Sequence, residues 1–225
     1  MLRHTLSVAL FLALRAAAGL HAQENPDDPV DVQSRFGMQV NLNLPRKWES
    51  SIGYEGRLTG NSSVYYGSYY SAELGRPVGK HLAVFANYRL AQFSDQASHR
   101  YGLGGELEAK RAKVTLSFRT MFQHLRKGGV DDDEQAARNV LRTRVRAKLD
   151  ATKRIAVYAS TEPFFAFAGI YPVDNWRNTA GAQWEFRKGF KFDLHYIYRP
   201  DYGKMFNRTY HIVGAEVSMD LKFPP

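Results

Sequence analysis

Five basic residues, Arg138, Arg142, Arg144, Arg146 and Lys148, recur at even spacing, and in an extended chain even spacing puts them on one face of one strand. Guanidinium groups arrayed this way can grip a phosphate or carboxylate through paired N–H donors, or line an anion-preferring pore. The competing reading is structural. A buried arginine is tolerated when it is paired, and Glu106, Glu108, Glu162 and Glu185 could meet the row across an enclosed space and lock it shut.

Other chemistry is weaker. His81, His99, His124, His195 and His211 are scattered, no pair has metal-ligand spacing, and there is no cysteine, so neither a metal nor a cofactor is expected. Barrel enzymes that deacylate lipids carry His-x-Ser on one strand, and no histidine here has a serine two residues on. A pair from separate strands, for instance His195 with Ser218, stays open, but no enzyme is the reading adopted. Asp131-Asp132-Asp133-Glu134 lacks the glycine and distal glutamate of a calcium loop and reads as a solvated loop, with divalent bridging to lipopolysaccharide as the other option. Glu162-Pro163 reads as a strand end or bulge, since proline cannot donate to a ladder. The tyrosines between Tyr65 and Tyr70 and between Tyr196 and Tyr202 suit sugar stacking or, more simply, a membrane girdle.

The elements that would carry these residues are strands. Period-two alternation recurs from Phe36 to Phe223, as in Phe36, Met38, Val40, Leu42 and Leu44 against Gly37, Gln39, Asn41 and Asn43. Runs at about 36–44, 48–58, 64–74, 81–91, 99–109, 113–124, 138–149, 154–164, 176–187, 190–199 and 209–223 make about eleven, each near the length of a tilted membrane strand. Their connections alternate between short turns, such as Pro45-Arg46-Lys47 and Arg187-Lys188-Gly189, and longer loops at 92–98, 125–137, 165–175 and 200–208. That alternation is the outer-membrane pattern.

What populates each face decides which side is out. The polar face carries Arg89, Glu106, Arg119, Arg142, Arg144, Arg146, Lys148, Glu162, Arg177, Glu185, Asp193 and Arg199, which become lumen-lining candidates. It also carries Gly53, Gly67, Gly102, Gly104, Gly181 and Gly214, which relieve crowding on an inward-curving surface. The apolar face ends in Trp48, Trp184, Phe186, Phe192 and Phe223 toward the short turns, and in Tyr66, Tyr88, Tyr101, Trp176 and Tyr198 toward the loops. Rings at both rims are what two membrane–water interfaces select. A closed barrel is required because hydrocarbon offers no partner to an edge amide, so the final strand must pair with an early one.

The N-terminus reads as a secretory signal over residues 1–22, with an apolar run from Thr5 to Leu14 and cleavage after Ala22. Residues 23–33 read as a flexible acidic segment, and residues 34–225 as one barrel domain. The formal charge is +9, or about +7 without Arg3 and Arg15, which in an exported chain points to lipid or sugar phosphate rather than nucleic acid. The last apolar face, Val213 to Phe223, resembles the C-terminal signal read by the barrel-assembly machinery, although Pro224-Pro225 trail it. An odd strand count conflicts with two periplasmic termini, unless the segment before Phe36 crosses once more or the Phe36–Leu44 strand enters from the loop side.

A further set of motifs bears on family. Leu74-Gly75-Arg76-Pro77-Val78-Gly79-Lys80 leads to Asn87-Tyr88-Arg89, followed by Arg100-Tyr101-Gly102-Leu103 and Leu141-Arg142-Thr143-Arg144. Ser160-Thr161-Glu162-Pro163-Phe164, Trp176-Arg177-Asn178-Thr179-Ala180-Gly181 and His195-Tyr196-Ile197-Tyr198-Arg199 complete it. In this order, from about residue 34 to the end, the chain resembles the bacterial outer-membrane family known as domain of unknown function 2490. The resemblance implies a barrel and brings no activity with it. The reading is therefore an all-β, membrane-spanning, up-and-down antiparallel barrel of about 10–12 strands in the bacterial outer membrane, with lipid and lipopolysaccharide around it. Its charged lumen would have a structural, binding or narrow-pore role. The alternatives are a lipid-modifying barrel enzyme and a soluble secreted ligand-binding barrel.

Overall fold

A computed structural model describes residues 30–94, 96–128, 139–167, 172–202 and 208–223. Its strands are β1 Val30–Asn43, β2 Glu49–Thr59, β3 Val64–Pro77, β4 Leu82–Gln92, β5 Ala97–Arg111 and β6 Val114–Gly128. They continue with β7 Asn139–Asp150, β8 Ile155–Ala166, β9 Val173–Arg187, β10 Phe190–Asp201 and β11 Arg208–Lys222. Each strand pairs antiparallel with the next, and β11 returns to β1, closing an 11-strand barrel. The signal segment, Arg138, the Asp131–Glu134 run and Pro224-Pro225 lie outside the described residues.

The closing seam corrects the expectation of antiparallel pairing throughout. With an odd number of strands in an up-and-down barrel, the first and last must run the same way, and β1 pairs β11 in parallel from Val30↔Thr209 to Asn43↔Lys222. Parallel ladders are slightly weaker per residue, and this one extends along all 14 residues of β1. β1 therefore starts at the end of the barrel where the longer loops lie and finishes at the short-turn end, which resolves the strand-count puzzle in favour of loop-side entry.

β1 also begins four residues inside the stretch expected to be flexible. Asp31 anchors it, because its carboxylate accepts from Thr59 Oγ1 at 2.8 Å and from the Asn61 amide at 2.9 Å. The aspartate read as a disorder signal is an acceptor for the β2–β3 turn, where Asn61 adopts φ 54°.

Parity separates the two faces. Val145 and Leu194 point outward and are each 51% exposed, and Val157 and Ala182 share that outer wall. Arg144 faces a central cavity and Glu185 the mouth at the short-turn end. A soluble calyx would need the reverse. The outer wall carries exposed Tyr101, Trp176 and Tyr198 near the loop end and Trp184 and Phe223 near the short turns. Tyr66 is a correction: the β2–β3 register shifts between Arg57 and Leu58, and Tyr66 packs edge-on against Phe93, which in turn meets inward Tyr69. The bulge spoils the parity count there, so Tyr65 takes the outer position.

Inward glycines make room for their neighbours. A Cβ on Gly104 would overlap the Thr120 carbonyl oxygen and the Phe85 ring, whereas one on Gly105, facing out, meets nothing nearer than 3.4 Å. Gly104→Ala is expected to lower the urea midpoint of the purified barrel by an amount equivalent to about 2 kcal/mol or more. Gly105→Ala should leave it unchanged or raise it by about 0.5 kcal/mol through lost chain entropy. Equal responses would contradict this account of the glycines.

Candidate functional site

Alternate residues of all eleven strands point inward, and they pack most tightly toward the loop end. The largest side chains exposed by less than 2% are Arg199, Tyr69, Phe164, Leu125, Ile212, Gln123, Val140 and Asn175. Each lies in the loop-end half of its strand. Val140 packs against Phe164, and Ile212 against Ile197 and Tyr210, so apolar contacts fill part of this end of the lumen. Arg199 belongs to the same plug, with its Nε 3.0 Å from Asp201 and its guanidinium 4.0 Å from the centre of the Tyr210 ring.

Midway down the barrel the filling stops. A cavity of about 500 Å³ opens there, and a second of about 260 Å³ shares Gln39, Ser51, Glu73 and Arg119 with it and reaches Asn43 and Arg76 at the short-turn rim. On the β7–β10 side a hollow of about 640 Å³ reaches the same rim, lined by Lys113, Lys148, Lys153, Arg154 and Lys191 against Asp150 and Glu185. Among the described residues, then, the lumen packs tightest toward the loop end, and its cavities reach the short-turn rim, where the lining is basic.

The central cavity holds Arg35, Arg57, Arg89, Arg119, Arg142, Arg144, Arg146 and Arg177 against Glu55, Glu73, Glu162, Asp193 and Glu216, eight cations to five carboxylates. Glu55 pairs with Arg57 at 2.5 Å and Arg89 at 3.4 Å. Arg119 bridges Glu73 and Glu106, the latter at 3.2 Å. Arg142 meets Glu162 at 2.9 Å, and Arg144 reaches Glu106 at 3.7 Å. Pairing of the basic row is therefore partial. Glu185 instead accepts from the Gly189 amide at 3.1 Å, and Glu108 is exposed at the short-turn end of β5. Neither meets the row, because both lie at the rim rather than across the lumen from it.

Rings do what the carboxylates leave undone. Arg57 lies 3.6 Å and Arg89 4.3 Å from the centre of Tyr69, Arg119 3.6 Å from Phe85, and Arg146 3.9 Å from Tyr158. Arg142 and Arg177 share Phe164, at 4.5 and 4.4 Å. Each such contact in a water-poor site is worth about 1–2 kcal/mol. Sequence reasoning placed aromatics on the outer wall and missed these. The signal was present, because Tyr158, Phe164 and Phe85 share the parity of Glu162 and Asn87.

Beside the arginines lies a second chain of bonds. Tyr158 donates to Asp193 Oδ1 at 2.9 Å, and His195 Nδ1 meets the same oxygen at 2.7 Å. The His195 ring lies flat over Gly214, which is its partner in the β10–β11 register. Ser218 pairs instead with Lys191, four residues further along β11, so the His195–Ser218 pair does not form. The remaining described histidines sit elsewhere: His99 bonds Tyr88 and His211 bonds Tyr196 on the outer wall, exposed His124 meets the Asn139 side chain, and His81 meets the Glu108 carbonyl. Among the described residues no cluster could hold a metal ion. Pro163 stays in register opposite Trp176, and the ladder shifts two residues on, between Phe164 and Phe165, close to the end of β8.

A family model described as "Protein of unknown function (DUF2490)" matches residues 30–209. No curated protein matches the chain. Among solved structures, that of OccAB4 from Acinetobacter baumannii aligns with a TM-score of 0.37 and 10% identity, over 75% of this chain. The chain spans about half the length of that protein, 50%, and a likeness at this level carries no argument.

The Arg142–Glu162 pair offers a direct test of the energetics. Both side chains are at most 15% exposed, so Glu162→Gln leaves a guanidinium without its counter-charge in a poorly solvated place. Unfolding in urea should show a loss of about 3 kcal/mol, most of it recovered in the double variant Glu162→Gln/Arg142→Met. A double variant as unstable as the single one would contradict the pairing.

Proposed function

The chain belongs to DUF2490, a family of proteins of unknown function, and from that premise we propose that it is an outer-membrane barrel whose lumen binds a solute rather than conducting one. The observation that carries this reading is the burial gradient. The most deeply buried large side chains, below 2% exposure, lie in the loop-end halves of their strands, while Lys191 at the short-turn end is 36% exposed. Solutes enter from the short-turn side and stop at the plug. On the usual disposition of short turns, that side is the periplasm.

Membrane placement is supported by the outer wall. Met38 and Leu103 on it are 63% and 67% exposed, which water would penalise and acyl chains would not. Arginine on such a wall costs about 2–4 kcal/mol at mid-membrane depth, and inside the lumen it escapes that penalty. Lipid and lipopolysaccharide then surround the barrel. The outward face of Val213, Val217, Leu221 and Phe223 is the segment for the assembly machinery to read. A lipid-modifying enzyme is the lesser reading: His195 is held by Asp193, but the hydroxyl nearest in that chain is Tyr158, which is itself bonded to Asp193.

In planar bilayers the wild-type protein is expected to show no steady unitary conductance in about 1 M KCl, where surface charge is screened. The double variant Arg199→Ala/Ile212→Ala, which hollows the plug, should conduct. Ohmic wild-type channels would overturn the blind-vestibule reading and favour a pore.

A further inference from the structure

The vestibule is short of negative charge in one place. Arg177 on β9 is 8% exposed, and among the described residues no carboxylate lies within ion-pair distance of it. It leans on Phe164, whose ring Arg142 also occupies, and Glu162, its register partner on β8, makes its ion pair with Arg142. Arg146 on β7 is in the same position, in contact with the Tyr158 ring and, among the described residues, with no carboxylate in ion-pair distance. Between them, Arg144 has only the long contact to Glu106 at 3.7 Å. The Nε atoms of Arg144, Arg146 and Arg177 are buried without a hydrogen-bond partner.

The carboxylates that could have compensated look elsewhere. Asp193 is bonded to Tyr158 and His195, and Glu216 stands opposite it in register, lying over Gly37. The β7–β9 wall therefore carries about two uncompensated positive charges in a site largely shielded from water. Rings offset part of that cost, and a buried charge without a counter-charge is otherwise strongly disfavoured.

We propose that this wall, formed by Arg144, Arg146 and Arg177, is the binding site of a phosphate group carried by a small solute or free in solution. A phosphate monoester bears about −1.5 to −2 charges at neutral pH, which matches the deficit. Its oxygens suit the planar guanidinium fork better than a point charge would. The cavity of about 500 Å³ has room for the phosphate and a modest organic remainder. The mouth, with Lys148, Lys153, Arg154 and Lys191, concentrates anions at the entrance. The proposal rests on the lumen being a vestibule that solutes can enter.

The full-length protein, purified in detergent micelles, is titrated calorimetrically with inorganic phosphate and, separately, with glycerol 3-phosphate. One saturable site is expected, weakened about tenfold or more by Arg177→Gln and by Arg146→Gln, less by Arg177→Lys, and not at all by Lys47→Gln in the β1–β2 turn. Tighter binding of glycerol 3-phosphate would assign the site to an organic monoester, and binding of inorganic phosphate alone to the free ion. Either result upholds the proposal. No saturable binding of either probe up to about 10 mM, or equal binding by Arg177→Gln, overturns it. Urea midpoints of each variant show that it is folded, and Arg177→Lys keeps the comparison informative should the neutral variants fail to fold. Wild-type conductance with phosphate binding intact would remove the blind vestibule and leave the site. Absent binding in a non-conducting barrel would remove the site alone.

Discussion

The hydrogen-bond ladder of this barrel closes, and everything else follows from that. Once β11 pairs with β1 there is no edge, so each strand amide finds its partner in a neighbour and side chains are left with two destinations only. Period two then sorts them without exception until a bulge intervenes. Most of the apolar set goes outward, and the ionic set goes into the lumen together with the rings and aliphatic side chains packed toward the loop end. Where the inner wall is poorly solvated, a charged residue must be paired, stacked or met by a ligand.

The lumen uses all three solutions, graded along the axis. At the loop end buried arginines lean on rings and carboxylates, as with Arg199 between Tyr210 and Asp201 and Arg57 between Tyr69 and Glu55. In the middle, glutamates such as Glu55 and Glu106 each serve two arginines. Toward the mouth, lysines replace arginines, and Lys191 meets Asp220 at 2.6 Å where water can reach both. Glycine makes the arrangement possible sterically. Gly181 admits the Tyr158 ring, whose hydroxyl would lie 2.7 Å from a Cβ there, and Gly214 admits His195. Without them the Tyr158–Asp193–His195 chain could not lie flat against the wall.

Much of this architecture was legible in the residues themselves. Alternation located all eleven strands and their faces, and the contrast of short turns with longer loops oriented them, because both are local properties of an extended chain. What was not legible depends on distant parts of the chain. The parallel seam is a consequence of counting, and the count was one strand short of the even number that barrels usually show. The β2–β3 bulge moved Tyr66 off the outer wall, since one extra residue inverts parity and leaves no mark in composition. The partners of the arginine row depended on height along the axis. Glu108 and Glu185 have the inward parity and lie at the rim, whereas Glu106 and Glu162 lie level with the row. The interior rings were hidden by a habit of assigning aromatics to the membrane side, although Phe164 follows Glu162 by two residues.

The central claim is that hydrocarbon touches one face of this sheet and ions or water the other. The chain has no cysteine, so single-cysteine variants give clean spin-label positions. In protein reconstituted into liposomes, labels at Val145→Cys, Val157→Cys and Leu194→Cys should collide readily with dissolved oxygen and rarely with a water-soluble nickel chelate. Labels at Ser71→Cys and Gln183→Cys, which face the lumen, should show the opposite. Nickel accessibility that is the same on both faces would contradict the account.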